Sequence, residues 1–149
     1  MQNVYYTTRH VFSRNFDYNR FWAQATSGRK VVKAIAYAVD RGDKKQREFQ
    51  NILRAIGFEV KLKPFIQRAD GSAKGDWDVG ITIDALEESA DADVVVLVSG
   101  DGDFSILVDK LRGGKGKRVE VYGVEPLTAK SLIDAADQFM PIEDALLLG

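Results

Sequence analysis

Two carboxylates, Asp101 and Asp103, stand in the stretch VVVLVSGDGDFSILVDKL (residues 94–111), where a run of strand-forming residues ends in a glycine-flanked turn and a helical pattern begins. Ligands of open α/β sheets collect at the carboxyl ends of the strands, so acids at this point are placed to meet a cation. Asp103 is the predicted N-cap of the following helix, a role worth about 1 kcal/mol. Asp101 then has no structural duty, because Gly100 and Gly102 hold it in a turn too tight for larger neighbours. A second acidic helix start, KGDWDV, offers Asp76 and Asp78. Carboxylates converging on one pocket repel unless a cation sits among them. The chain has no cysteine and one histidine, His10, which reads as plain surface. Any metal must therefore be held by oxygen, which favours Mg2+ or Mn2+.

Competing motifs fail on their mechanics. DGDFSI starts like a calcium loop, but Ile106 occupies the sixth position, where glycine must turn. GGKGK (residues 113–117) follows a helix and precedes a strand, the reverse of a phosphate-binding loop, and lacks its Ser/Thr. Phe104 and Ser105 do not supply the turn that aspartyl-phosphate phosphatases need after their acids.

The elements that must position these acids follow from periodicity. DYNRFWAQATSG carries Tyr18, Phe21, Trp22 and Ala25 at helical spacing, and KVVKAIAYAV (Lys30–Val39) reads as a buried strand. DKKQREFQNILRAIG is a helix with Phe49, Ile52, Leu53 and Ile56 inward. FEVKLKPFI (Phe58–Ile66) alternates as an outer strand, and QRADGSAKGDW is a loop. DVGITIDALEESA predicts a helix with Val79, Ile83, Leu86 and Ala90 on its core stripe. DVVVLV then reads as a fully buried strand, and FSILVDKLRGG as a helix with Phe104, Leu107, Val108 and Leu111 inward. KRVEVYGV, TAKSLIDAAD and QFMPIEDALLLG add a strand, a short helix and a last strand or tail. Strands alternating with helices call for an α/β fold, a parallel sheet with helices on both faces, in one domain spanning residues 1–149.

Composition fits a globular protein, with 45% hydrophobic and 29% charged residues. No apolar run approaches the ~20 residues of a membrane span, and the N-terminus lacks a secretory core, so the expected compartment is the cytoplasm, with no membrane partner. The net charge of −1 hides an asymmetry: residues 28–74 carry twelve basic and five acidic side chains, residues 75–149 six and sixteen. A basic half suggests a polyanion partner and an acidic half a cation site. Arg29, Lys30, Lys44, Lys45, Arg47, Lys61, Lys63 and Arg68 are the expected steering charges, and Trp77, with Tyr5 or Tyr6, the expected platforms for stacking bases of a single strand.

These residues together resemble the NYN domains of the PIN-like nuclease superfamily, in particular its LabA-like bacterial branch. The resemblance rests on QNVYY near the start, KGDWDVGITIDAL, VVVLVSGDGDFSILVDKL and VEVYGV, and covers nearly the whole chain. It implies a Rossmann-like three-layer sandwich with a mainly parallel sheet, an acidic pocket holding Mg2+ or Mn2+, and hydrolysis of phosphodiester bonds in RNA. On the family's pattern the first-strand asparagine falls on Asn3, the mid-chain acid on Asp78 and the strand-end acids on Asp101 and Asp103; these are the expected catalytic residues. Asp101, Asp78 and Asp103 are the expected metal ligands. Asp76 is a rival to Asp78, because one extra residue separates Lys-Gly from Asp-Val. Trp77, Lys74, Tyr5 and Ser99 are expected on the substrate side. Asp84 ranks lower, since six residues from Asp78 turn it about 240° around a helix.

Family members open with an apolar strand ending in an aspartate shortly before that asparagine, whereas this sequence begins at Met1. The first central strand is therefore expected to be missing from this chain. Its loss would leave buried backbone groups unpaired at about 1–3 kcal/mol each. The expectation is a true start roughly ten residues upstream; otherwise the domain pairs differently or is a degraded nuclease. Two rival functions stand beside a ribonuclease: a catalytically inactive RNA- or protein-binding regulatory module, and a small-molecule phosphohydrolase. Apolar alternation in Phe58–Ile66 raises a homodimer as one way to cover that edge strand.

Overall fold

The structure is a computed structural model and describes residues 15–40, 42–64, 66–67, 73–74 and 77–148. Asn3, Tyr5, Tyr6, His10, Arg68 and Asp76 lie outside these residues. Helix α1 (Tyr18–Thr26) starts at Asp17, whose side chain accepts from the Arg20 amide at 3.0 Å. β1 (Ile35–Asp40) leads into α2 (Lys44–Ile56), capped by Asp43 accepting from the Gln46 amide at 2.8 Å and closed by Gly57 at φ +137°. β2 (Glu59–Pro64) pairs parallel with β1, from Ile35↔Glu59 to Asp40↔Pro64. A short antiparallel hairpin follows, β3 (Ile66–Gln67) with β4 (Ala73–Lys74); Ile66 ends the predicted outer strand, whereas Gln67, Ala73 and Lys74 fall in the predicted loop. Then come α3 (Asp78–Glu88), β5 (Val94–Val98), a 3-10 turn at Gly102–Phe104, α4 (Ser105–Asp109), β6 (Arg118–Gly123), α5 (Lys130–Ala135) and β7 (Gln138–Pro141). β5, β6 and β7 form a parallel sheet in sequence order.

The pleat distributes side chains to two cores. Ala36, Val98 and Tyr122 face one way, under α1 and α2, with Phe16, Phe21 and Leu53. Leu97, Val119 and Val121 face the other way, against Ile81, Phe104, Leu107, Val108, Leu111 and Leu132 from α3, α4, α5 and their flanks. Each core draws on β1 as well as β5, through Ala36 and Tyr37 respectively, so both sheets belong to one middle layer. Among the described residues no backbone ladder joins β1 to β5. The α/β class and parallel pairing agree with the sequence reading. Among the described residues, no helix is long and apolar enough to cross a membrane.

Several finer expectations are corrected. The strand expected from Lys30 begins only at Ile35, and Val31 and Val32 are exposed, because Arg29 is first drawn to Glu120 on β6. On α2 the inward positions include Gln50 and Leu53, whereas Ile52 is exposed. On α3 Ile81 is buried while Val79 and Ile83 face water, because Asp84 is drawn to the sheet and fixes the helix rotation. β5 is fully buried only at Leu97 and Val98, not along its whole length.

Arg29, just after α1, and Glu120 on β6 form a bidentate polar tie between the layers. Two guanidinium nitrogens donate to the two carboxylate oxygens at 2.8 and 2.7 Å, and Arg118 Nε adds 3.1 Å. The Glu120 side chain is only 2% exposed. Arg29's hydrogen bonds hold its carboxyl below the usual range against the opposing effect of burial.

Candidate metal centre

The turn that ends β5 is built from nested hydrogen bonds. The Asp101 amide donates to Ser99 Oγ at 3.1 Å, and Asp101 Oδ1 accepts from the Asp103 amide at 2.9 Å. Asp101, not Asp103, is therefore the N-cap, since the helical path starts with the 3-10 turn at Gly102. The expectation that Asp101 has no structural duty is corrected accordingly: one of its oxygens caps, and Oδ2 remains for another partner. The flanking glycines are also needed for a different reason than backbone twist. Neither has a left-handed φ. A Cβ on Gly100 would lie 2.5 Å from the Leu127 carbonyl oxygen, and one on Gly102 would lie 2.9 Å from Ala129 Cβ.

Asp78 arrives from α3, as its first residue. The start of α3 is fixed by Trp77, whose indole Nε1 donates to the Ala38 carbonyl at 2.9 Å and whose ring lies 5.3 Å from that of Tyr37. Gly80 makes room for the indole, since a Cβ there would stand 2.6 Å from it. The structure thus gives Trp77 a packing role, in place of the exposed stacking platform expected from its loop position. Six residues after Asp78, Asp84 Oδ2 accepts from Tyr37 Oη and Lys61 Nζ, each at 2.9 Å. Burial alone would raise the Asp84 pKa; the bonds from Lys61 and Tyr37 outweigh it and lower it. Burial and the same carboxylate push the Tyr37 phenol well up. Asp84 is a tether for α3, and Lys61 serves it rather than a polyanion. Arg29, likewise, belongs to Glu120.

The tether has a measurable consequence. Asp84→Asn is expected to cost about 1–2 kcal/mol, discounted because a third of the Lys61 side chain meets water. Thermal melting should fall by roughly 2–8 °C, and manganese affinity several-fold as Asp78 loses its fixed position.

With both segments fixed, one carboxylate oxygen each from Asp78, Asp101 and Asp103 lies within 4.8 Å of the others. Asp78 is half-buried and the other two exposed. Two oxygens bound directly to Mg2+ at about 2.1 Å stand at most about 4.2 Å apart, so the set fits an ion that keeps some of its water. All three donors are hard oxygens, as the ion requires. Asp78 follows the residue bonded to Ala38 near the end of β1, and it meets Asp101 beyond the end of β5. The carboxyl ends of both strands therefore share one rim. The structure brings together Asp78, Asp101 and Asp103, with Ser99 beneath them. Lys74 has its backbone in β4, its side chain outside the described residues. Asn3, Tyr5 and Asp76 are also outside. Tyr37 was not singled out in the sequence and Lys61 only as a steering charge, though the two sit on neighbouring strands at paired positions.

A family model described as the NYN domain matches residues 1–143. This chain belongs to the NYN domain family. The NYN chain is 29% identical over 121 residues to the low amplitude and bright protein LabA of Synechococcus elongatus (strain ATCC 33912 / PCC 7942 / FACHB-805); the match covers 77% of the NYN chain and 64% of LabA, less than two thirds of that relative. In three dimensions it is similar to the crystal structure of VPA0982, a protein of unknown function from Vibrio parahaemolyticus RIMD 2210633, at 60% identity and TM-score 0.93, covering 99% of this NYN chain and 91% of VPA0982.

Proposed function

We propose that this NYN domain is a ribonuclease that hydrolyses phosphodiester bonds in single-stranded RNA with Mg2+ or Mn2+. The observation that carries the reading is the convergence of Asp78, from the start of α3, with Asp101 and Asp103, from the turn after β5, at the carboxyl rim of the sheet. Exposed Lys44, Lys45 and Arg47 in the first turn of α2, next after β1, add positive charge on the same rim and support a polyanionic substrate.

A bound divalent ion would lower the pKa of water and polarise a phosphoryl oxygen. The chain's own groups prepare that chemistry. Asp101 gives Oδ1 to the Asp103 amide, so its carboxylate plane is set by the turn and Oδ2 is directed by it. Asp78 cannot drift, because Trp77 and Asp84 hold α3 to β1 and β2. The three negative charges repel a bare phosphate, which makes approach of the substrate depend on the cation.

The test is cleavage of a labelled single-stranded RNA, with calorimetry of manganese binding alongside. Manganese uptake and EDTA-sensitive cleavage are expected, with cleavage falling at least tenfold between 50 and 200 mM salt as counterion release weakens binding. Activity indifferent to salt would point to a small-molecule phosphohydrolase. Metal uptake without cleavage would favour a regulatory binding module, and no uptake at all would sink the metal centre.

A further inference from the structure

Beside the acids lies an apolar surface that the proposed mechanism leaves unused. Val79, Ile83 and Ile106 are 73, 49 and 77% exposed, three β-branched side chains turned to water. Val79 and Ile83 stand one turn apart on α3 and, with Thr82 and Phe104, line a groove bounded by Asp78 and Asp103. Ile106 follows Asp103 by three residues, the spacing that keeps two side chains on one side of a helix. The rotation of α3 set by Asp84 and Trp77 is what turns Val79 and Ile83 outward.

We propose that this groove is a base-binding subsite, seating the base of the nucleotide whose phosphate is presented to the three acids; it rests on the reading of those acids as a phosphodiester site. Two of the acids border the groove, so a group lying in it is within one nucleotide of the cluster. Among the described residues no basic side chain lines it, so these walls offer a phosphate no counter-charge. Its walls offer apolar contact of the kind that holds unstacked bases. Thr82 Oγ1 already donates to the Asp78 carbonyl at 2.8 Å, so the groove reads the flat face of a base more than its edge. The subsite is accordingly tolerant of sequence. A second copy of the chain is a poorer occupant, because a stable dimer covers about 800 Å2 on each partner and three side chains supply only part of that.

Fluorescence anisotropy tests the subsite without relying on cleavage. A short labelled single-stranded RNA and its abasic counterpart are titrated with the full chain, calcium replacing manganese. The wild type should hold the base-bearing strand about tenfold tighter than the abasic one, as expected for one stacked base. The double variant Val79→Ser/Ile83→Ser should lose that preference while keeping its affinity for the abasic strand, and Ile106→Ser should lose part of it. Equal affinity of the wild type for both strands, or an undiminished preference in the double variant, overturns the subsite. So does concentration-dependent dimerisation that the same substitutions abolish, which would give the face to a second copy. Failure of the nuclease reading looks different: no manganese uptake and no cleavage, whatever the base preference.

Discussion

Asp101→Asn is expected to reduce metal-dependent cleavage at least about a hundredfold, and manganese affinity about tenfold or more, while melting changes by less than about 2 °C. Asparagine caps a helix about as well as aspartate. The variant therefore keeps the acceptor for the Asp103 amide and removes only the charge. Calorimetry, a cleavage assay and a melting curve on one preparation separate the two roles of this side chain. Cleavage that survives unchanged would remove Asp101 from the site, and a large loss of stability would show that the charge serves the fold. Asp101→Ala is less informative, because it deletes cap and ligand together.

The second large effect concerns stability. Arg29→Met should cost about 3 kcal/mol at neutral pH, because it strips the bidentate partner from a carboxylate buried on β6. Arg118 remains on Glu120, which keeps the loss at the low end for broken buried pairs. A fall of roughly 6–12 °C in melting temperature is expected. The pH dependence follows from the depressed Glu120 pKa. A carboxylate held lower when folded stabilises the protein above its unfolded value of about 4.3, and that contribution is lost as pH falls through the folded value. The gap between wild type and Arg29→Met should thus be full at pH 7 and narrow below about pH 4. A gap that stays constant down to acid pH would mean that packing of the Arg29 stem, not its charge, matters.

How much of this was legible in the residues varies with the physics that decides each part. The turn after β5 stood out because glycine, acid and strand chemistry agree there, and the inward set Phe104, Leu107, Val108 and Leu111 follows directly from helical spacing. The rotation of α3 did not, because its apolar residues surround the helix. Val79, Ile81 and Ile83 compete for the inside, and the half-buried ion pair of Asp84 with Lys61 decides among them. The Asp101 cap was misread for a related reason, since a 3-10 start shifts the capping position by two residues and leaves the composition unchanged. Trp77 could equally be platform or wedge until the Ala38 carbonyl was seen to receive its N–H.

The acidic turn is also clamped from outside its own segment. The Gly100 carbonyl accepts from the Ala129 amide at 3.0 Å, and the Leu127 carbonyl stands where a Gly100 side chain would be. The connection after β6 therefore serves as a jig for the acids although it carries none of the three. Inserting or deleting a single residue between Val124 and Ala129 would throw the acids out of alignment while leaving every one of them in the gene, so an inactive relative with an intact acidic signature is best inspected there first.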